Sequence, residues 1–161
     1  MPIAEGASIP SDLQGTVMGD DGPAPVNLAE LVAGKKSVIF GIPGAFTPTC
    51  SKQHLPGYVD DAAALEAKGI EQVICMSTND IFVLSAWNAA NGGANVTMLA
   101  DGSGDITRAL DLGLDLSARG MGYRTTRFAM IVDDGTVHAL NVEESPGTCT
   151  VSSAQGILER V

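Results

Sequence analysis

The sequence predicts an α/β fold in which helices flank a mixed central sheet, and three observations support this prediction. Two short apolar runs, Ser37–Ile42 and Gln72–Ser77, are typical of buried central strands. A helix-like segment follows each run, as expected where helices connect strands of one sheet. Near the end of the chain, Asp133-Asp134-Gly135 separates two further strand-like runs and indicates an antiparallel hairpin. The sheet should therefore contain both parallel and antiparallel strands.

The first third of the chain predicts an N-terminal β-hairpin and two helices. Strands at Gly15–Met18 and Ala24–Val26 flank a Gly-Asp-Asp-Gly turn. Asn27 is suited to cap a helix, with Glu30 three residues later, and Gly34 to end it. A longer helix is expected over Pro48–Lys68, with a break at Pro56-Gly57 because proline cannot donate a backbone hydrogen bond.

The later elements complete an order of β-β-α followed by β-α-β-α-β-α-β-β-α. A helix capped by Asn79 or Asp80 should place Val83, Trp87 and Ala90 on one face. The remaining predictions are a strand at Val96–Leu99, a helix at Asp105–Leu110, strands at Arg127–Val132 and Thr136–Leu140, and a closing helix at Ser152–Val161 capped by Ser152 or Ser153. A thioredoxin-like fold has this layout, and the length of 161 residues fits a single domain over residues 1–161.

Composition narrows the classes of partner. The formal net charge of −10 argues against nucleic acid and against anionic lipid, because both are bound by clustered Lys and Arg. No segment approaches the roughly 20 apolar residues of a membrane helix. The first residues contain neither a basic start nor an apolar run, so a cytoplasmic location is expected, although the mature form of an organelle protein would look the same.

The segment from Gly41 to Ser51 contains the residues that indicate chemistry. Cys50 follows a buried strand and a Pro/Gly loop and should lie where a helix begins. Free backbone N–H groups and the helix dipole stabilise an anion at that position, so a thiolate nucleophile is expected there. Thr47 lies three residues earlier, where its hydroxyl can reach the sulfur or a bound oxygen, and Pro43 can shield the pocket from water. The alternative is a small buried cysteine that only fills space.

The spacing Pro43-x-x-x-Thr47-x-x-Cys50 is similar to the active-site pattern of the peroxiredoxins. The longer text PGAFTPTCSKQHLPGY resembles the peroxiredoxin-five, or type II, branch. Further similarity extends along essentially the whole chain, in VICMSTND, SAW, LADGSGDITRALDL, GMGYRTTRFAMIVDDG and VSSAQGIL. The resemblance implies a thioredoxin-like fold and a thiol-dependent peroxidase that reduces hydrogen peroxide and alkyl hydroperoxides without an organic cofactor or metal.

The resemblance also implies roles for individual residues. Cys50 would be the peroxidatic cysteine, which attacks the O–O bond and becomes a sulfenic acid. Thr47 would hydrogen-bond the peroxide and the thiolate, and Pro43 would pack over the pocket. Arg127, which precedes Phe-Ala-Met, would hold the thiolate and the peroxide oxygens. Backbone N–H groups near Ala45-Phe46 and that of Cys50 would complete the site.

Other polar residues near these motifs admit competing interpretations. Arg124 competes with Arg127 for the arginine role, or is an exposed charge at a strand edge. His54 lies one helical turn after Cys50, where a packing or supporting role is favoured over proton transfer; no further Cys or His partners lie near in sequence to suggest a metal. His138 lies in a predicted strand and is interpreted as structural.

The two other cysteines bear on how Cys50 would be recycled. Cys75 lies within an apolar strand and is expected in the core, whereas Cys149 lies in a probable loop from which a thiol could reach a sulfenic acid. By resemblance, Cys149 either resolves Cys50 within one chain or is dispensable, with recycling by glutathione and glutaredoxin or by thioredoxin. The loop is shorter than in the best-known intramolecular version. The resemblance further implies a homodimer.

Two rival functions remain open from the sequence. A thiol–disulfide oxidoreductase would suit the fold, but it needs a Cys-x-x-Cys pair, and Thr47 occupies the place of the first cysteine. A peroxide sensor or chaperone-like binding protein would use the same Cys50 without turnover.

Overall fold

A computed structural model describes all 161 residues. The strands are β1 Gln14–Gly19, β2 Gly22–Asn27, β3 Lys36–Gly41, β4 Gln72–Ser77, β5 Val96–Ala100, β6 Gly113–Asp115, β7 Tyr123–Thr125, β8 Phe128–Asp133 and β9 Thr136–Val142. The α-helices are α1 Leu28–Val32, α2 Leu55–Asp60, α3 Ala62–Ala67, α4 Ile81–Ala90, α5 Asp105–Ala109 and α6 Ala154–Leu158. A π-helical segment spans Cys50–His54, and a short 3-10 helix spans Ser117–Arg119.

Seven strands form one mixed sheet in the order β2-β1-β5-β4-β3-β8-β9. Strands β3, β4 and β5 run parallel, whereas β8 is antiparallel to both β3 and β9, and β1 is antiparallel to β2 and β5. The buried apolar residues form two clusters, of 20 and 15 residues, and alternate residues of β3 and β4 belong to different clusters, so the sheet is covered on both faces. The mixed sheet, the flanking helices and the N-terminal hairpin confirm the predicted fold class. No helix has the length and apolar character needed to cross a bilayer.

Local capping follows the sequence signals closely. The Asn27 side chain accepts a hydrogen bond from the Glu30 backbone N–H at 3.1 Å, and this bond fixes the start of α1. Asp80, not Asn79, caps α4 through the Val83 N–H at 2.9 Å. Ser153 caps α6, which ends at Leu158 and is shorter than expected.

Two helix predictions were wrong in detail. The break in the long helix falls at Asp61, between α2 and α3, because Pro56 occupies the first turn of α2, where its missing N–H is tolerated. The buried face of α4 comprises Ile81, Leu84 and Trp87, so only Trp87 of the expected face is in the core. The small sheet formed by β6 and β7 was not predicted, because three-residue strands contain too few residues to show a hydrophobic period.

Candidate active site

Cys50 lies just after the loop that follows β3. Pro48 and Thr49 are helical and Cys50 begins the π-helical segment, in which the Leu55 N–H bonds to the Cys50 carbonyl. A turn of this kind often occurs at functional sites. Pro56 is the second residue after the segment and cannot donate a backbone hydrogen bond, so the regular bonding pattern is already interrupted there. The Cys50 side chain is fully buried and belongs to the larger apolar cluster.

The pairing of β3 with β8 brings Arg127 next to this loop. Gly41, the last residue of β3, lies opposite Phe128, the first residue of β8. Arg127 directly precedes β8, so it emerges at the same end of the sheet as the loop that leads to Cys50. Its Nη2 group donates to Cys50 Sγ at 3.0 Å. Two residues 77 positions apart in sequence are therefore in direct contact.

The guanidinium of Arg127 is held by two further hydrogen bonds. Nε donates to the Pro146 carbonyl at 3.0 Å, and Nη1 donates to His54 Nδ1 at 2.8 Å. The residue is only 1% exposed and forms no salt bridge with a carboxylate. The planar guanidinium of Arg127 is thus fixed in orientation, with one N–H directed at the sulfur of Cys50.

His54 supports Arg127 as a neutral acceptor. Its Nε2 lies 2.9 Å from the Ser152 carbonyl, which can only accept, so Nε2 carries the proton and Nδ1 accepts from Arg127. Burial, reinforced by the Arg127 charge, lowers the pKa of His54 to about 3. The residue is therefore uncharged at neutral pH. No group of three or more Cys, His, Asp or Glu side chains is arranged as metal ligands.

An aromatic pair packs behind His54. Phe40 of β3 stacks on Tyr58 with ring centroids 4.2 Å apart, and it also lies 4.8 Å from the His54 ring. The Tyr58 hydroxyl donates to the Ser152 carbonyl at 2.8 Å, beside the His54 bond to the same oxygen. Burial raises the pKa of Tyr58 well above its ordinary value, so this hydroxyl stays a donor. Ser152 is thus the shared anchor of two aromatic side chains.

Glu143 organises the loop that contains Ser152 and Cys149. Its carboxylate accepts hydrogen bonds from the backbone N–H groups and hydroxyls of Thr150 and Ser152 and from the Thr148 hydroxyl. Desolvation opposes its ionisation, but the bonds from Ser152 and Thr150 outweigh it and lower the pKa of Glu143. The loop is held from the opposite side by Thr49, whose hydroxyl donates to the Gly147 carbonyl at 3.2 Å.

A pocket of about 210 Å³ opens over the site. Pro43, Thr47 and Arg127 line it, together with Pro146 and Gly147 of the Glu143 loop. Thr47 does not bond to the sulfur: its hydroxyl donates to the Gly44 carbonyl at 2.7 Å. The oxygen lone pairs of that hydroxyl are left to accept from a molecule in the pocket.

The backbone of Ala45 is not available as a donor to the pocket. Its N–H bonds to Asn79 Oδ1 at 2.8 Å, and Ser77 in turn donates to the same oxygen. The Asn79 side chain, which does not cap α4, therefore occupies the Ala45 N–H, and the expected role of the Phe46 and Cys50 N–H groups stays a prediction. Phe46 adopts a positive φ of 63°, unusual for a residue other than glycine, and its ring is 61% exposed.

The remaining cysteines differ in environment. Cys75 lies fully buried in β4, where desolvation raises its pKa well above the ordinary value. Cys149 is partly buried, and desolvation raises its pKa as well. All three cysteines are free thiols. The loop of Cys149 is more firmly bonded than the accessible, mobile loop that the sequence predicts.

Arg124 lies beside the site without contacting the sulfur. Its Nε donates to the Met121 carbonyl at 2.8 Å and its Nη1 to the Pro43 carbonyl at 3.2 Å. Of the two candidate arginines, Arg127 is the one that reaches Cys50. His138 is an exposed residue of β9, remote from these contacts.

Sequence reasoning missed Glu143, Tyr58 and Ser152. No periodic pattern in the sequence marks Glu143, because an irregularity in the pairing of β8 with β9 places Val137 and Ala139 in different apolar clusters and breaks the alternation along β9. A carboxylate on an inward-facing position must find donors. No local pattern marks Ser152, because its carbonyl acts through residues about 95 positions away.

Comparisons with known proteins agree with this geometry. A family model described as Redoxin matches residues 4–158. Peroxiredoxin-2C of Oryza sativa subsp. japonica is 45% identical over 159 residues, covering 98% of each chain. The solved structure of reduced Prx3 from Vibrio vulnificus in complex with hydrogen peroxide is 44% identical, covers 98% of each chain and superposes with a TM-score of 0.92.

A Burkholderia cenocepacia structure, provisionally described as a thioredoxin reductase, is 47% identical, covers 100% of this chain and 99% of its own, and superposes with a TM-score of 0.95. The Redoxin match spans nearly the whole chain, and the rice and Vibrio proteins are peroxiredoxins by name. The chain therefore belongs to the redoxin family and, within it, to the peroxiredoxins.

Proposed function

We propose that Cys50 is the nucleophile with which this peroxiredoxin reduces hydrogen peroxide and organic hydroperoxides. The observation that carries the proposal is the 3.0 Å contact between Arg127 Nη2 and Cys50 Sγ, because Arg127 also lines a pocket together with Thr47. The thiolate attacks one peroxide oxygen, the O–O bond breaks, and the sulfur becomes a sulfenic acid. The departing oxygen takes a proton and leaves as water or an alcohol.

Arg127 and Thr47 are suited to stabilise the charge that moves in this step. Negative charge passes from sulfur to the departing oxygen, so fixed donors aimed at that oxygen lower the barrier. Arg127 has two N–H groups beyond the three that are already bonded, and its orientation is set before any peroxide arrives. The Thr47 hydroxyl can accept from a peroxide O–H while it donates to Gly44. Pro43 lines the mouth of the pocket and limits the access of water.

Rapid-mixing kinetics with peroxide and a thiol reductant test these roles. Cys50→Ser should abolish turnover, whereas Cys75→Ser, at a buried thiol with no place in the mechanism, should retain it. Arg127→Lys keeps the charge but loses the fork geometry, and we expect peroxide reduction to slow by about 10²–10³-fold. Turnover that survives in Cys50→Ser would disprove the proposal.

We further propose that an external thiol, of the glutathione, glutaredoxin or thioredoxin type, returns Cys50 to its reduced form. Cys149 is partly buried, its pKa is raised by desolvation, and the residues on either side of it are bonded to Glu143. These features all oppose its use as an attacking thiolate. Cys149→Ser should therefore keep full turnover with an external thiol. Mass spectrometry that finds a Cys50–Cys149 disulfide as the main oxidised form would contradict this.

The assembly and location that the sequence suggests remain proposals. Exposed Phe46 in the active-site loop and exposed Phe82 on α4 offer apolar surface for a homodimer, which light scattering would test. A cytoplasmic location is testable by cell fractionation.

A further inference from the structure

Four arginines near the active site lack a close acidic partner, although the chain has 19 acidic and nine basic residues. Arg119, Arg124 and Arg127 form no salt bridge, and Arg108 has only Asp105 at 4.0 Å, with both side chains largely exposed. Such an exposed pair contributes little. These four arginines line two pockets: Arg119 and Arg127 line the one beside the active site, and Arg108 and Arg124 line another.

Arg108 and Arg124 line a second pocket, of about 270 Å³, next to the one over Cys50. Thr78, Ser103 and Tyr123 complete most of its wall, and Met121 lines both pockets. The wall is almost entirely polar, with two guanidinium groups and no carboxylate. This composition suits a small anion better than an apolar ligand.

Both guanidinium groups are held in place before any ligand binds. Arg108 lies over the Tyr123 ring at 4.6 Å and donates to the Ser103 carbonyl at 2.7 Å. Arg124 is bonded through Nε and Nη1, and its Nη2 makes no hydrogen bond within the chain. An anion that bound here would therefore meet oriented, unused donors.

Arg124 also joins this pocket to the active site. A β-carbon built on Gly44 would lie 3.2 Å from Arg124 Nη1, 3.3 Å from Thr47 Cγ2 and 3.5 Å from Met121 Cε. These three side chains thus converge on one point of the loop that leads to Cys50. A molecule of tripeptide length, about 10 Å when extended, could place a charged group in the second pocket and a reactive group in the first.

We infer that the Arg108–Arg124 pocket binds a carboxylate of a small thiol of the glutathione class and so directs its sulfur to oxidised Cys50. The inference rests on the proposed function, because it concerns the thiol that completes the same cycle. A thiol is favoured over a carboxylate-bearing hydroperoxide because the first pocket alone can accommodate a small peroxide, whereas Cys149 is held away from the role of internal reductant.

The chemistry of this step is balanced by two equivalents of thiol. The first thiolate attacks the sulfur of the Cys50 sulfenic acid, a mixed disulfide forms, and hydroxide leaves as water after taking a proton. A second thiolate attacks the small-molecule sulfur of that mixed disulfide. It releases the symmetric disulfide and returns Cys50 as a thiolate. Cys50 is reduced, and the two thiols supply the two electrons.

The test compares glutathione with glutathione ethyl ester, which masks one carboxylate, on protein that has already been oxidised at Cys50. In the native protein we expect glutathione to react about tenfold faster than the ester, and more slowly as salt is added. In Arg108→Gln the preference should fall towards one. Arg160→Gln, which removes a surface arginine paired with Glu5, should leave the preference at its native value. Arg108 is 57% exposed, so the variant should fold, and its thermal unfolding checks this.

Three outcomes would overturn the inference. The first is an unchanged preference in Arg108→Gln. The second is an equal loss of rate with glutathione and with its ester in that variant. The third is a carboxylate preference for hydroperoxides in the oxidation step but none for thiols in the reduction step. A failure of Cys50 to form a sulfenic acid at all would instead refute the proposed function, and mass spectrometry of the oxidised protein detects it before any thiol is added.

Discussion

Replacing Glu143 with glutamine should loosen the loop behind the active site. The variant then shows how much that loop contributes to stability and to the rate of peroxide reduction. The side chain is 8% exposed and accepts five hydrogen bonds. The shortest are from the Thr150 N–H at 2.6 Å, the Ser152 hydroxyl at 2.8 Å and the Ser152 N–H at 2.9 Å, all to the same oxygen. Glutamine has nearly the same shape, so the substitution removes the charge and little volume.

The expected loss of stability follows from these bonds. Hydrogen bonds to a charged group contribute about 1.5–3 kcal/mol each, and neutral ones about 0.5–1.5 kcal/mol. An amide oxygen in place of the Oε1 atom keeps its three bonds but weakens each by about 1 kcal/mol. The hydroxyls that face the other oxygen can rotate and accept from the new NH₂ group. We therefore expect the free energy of unfolding to fall by about 2–3 kcal/mol.

The same substitution should slow peroxide reduction. The Glu143 loop supplies the Pro146 carbonyl to Arg127 Nε and the Ser152 carbonyl to His54 and Tyr58. Less rigid support for Arg127 should raise the activation free energy by about 0.5–2 kcal/mol. This increase corresponds to a reaction with peroxide that is roughly 2- to 30-fold slower. Urea unfolding followed by Trp87 fluorescence and rapid mixing with peroxide measure the two effects.

The pH dependence provides a second readout. The pKa of Glu143 is lowered in the folded protein from its ordinary value of 4.5, so its contribution is complete above pH 4.5 and is lost as the pH falls through the lower folded value. The stability gap between the native protein and Glu143→Gln should therefore narrow below pH 4.5. Glu144→Gln is the matched control, because Glu144 is the next residue in the chain and its side chain is exposed. Equal effects of the two substitutions would refute the reasoning.

Two further predictions concern burial. His54 has a pKa of about 3 in the folded protein, whereas in the unfolded chain it takes up a proton near pH 6.5, so the free energy of unfolding should fall from pH 7 to pH 5. Urea unfolding should show this loss in the native protein and, to the same extent, in the variant His138→Gln, which removes an exposed histidine. If the loss vanished in His138→Gln, the prediction would be contradicted. A β-carbon at Gly41 would overlap the Phe128 ring, so Gly41→Ala should destabilise the protein by about 3 kcal/mol or more. Gly57 lies on α2 with open space around it, so Gly57→Ala should stabilise the protein by about 0.5–1 kcal/mol. Thermal unfolding that ranked the two variants in the reverse order would be incompatible with this packing.

The sequence was sufficient to predict most of the framework, because the relevant signals are local. Strands β3 and β4 are short apolar runs, and Asn27 and Asp80 cap helices through bonds that span three residues. The break at Asp61 was missed because a proline near a helix start and a proline inside a helix look alike in sequence. Resolving that ambiguity requires the preceding π-helical turn, which depends on tertiary packing.

The candidate site was only partly predictable for a related reason. Thr47 and Cys50 lie three residues apart, and their spacing is visible in the sequence. Arg127 came from the family resemblance, since its contact with Cys50 depends on the antiparallel register of β3 and β8. The bonds of Glu143 depend on the path of a loop that has no periodicity. Only the folded loop brings these donors and acceptors together.

Arg127 is a buried positive charge that has no carboxylate partner. A buried charge without a counter-ion is costly, and this residue is 1% exposed with a neutral histidine, a backbone carbonyl and a sulfur as its partners. A carboxylate in place of His54 would satisfy the guanidinium and reduce its attraction for other anions. Because no carboxylate pairs with the guanidinium, the proposed mechanism would let an ionised Cys50 sulfur and the oxygen that departs from the peroxide balance its charge. The Glu143 loop contacts His54 and Arg127 through the backbone carbonyls of Ser152 and Pro146. These contacts orient the guanidinium towards Cys50 without neutralising its positive charge.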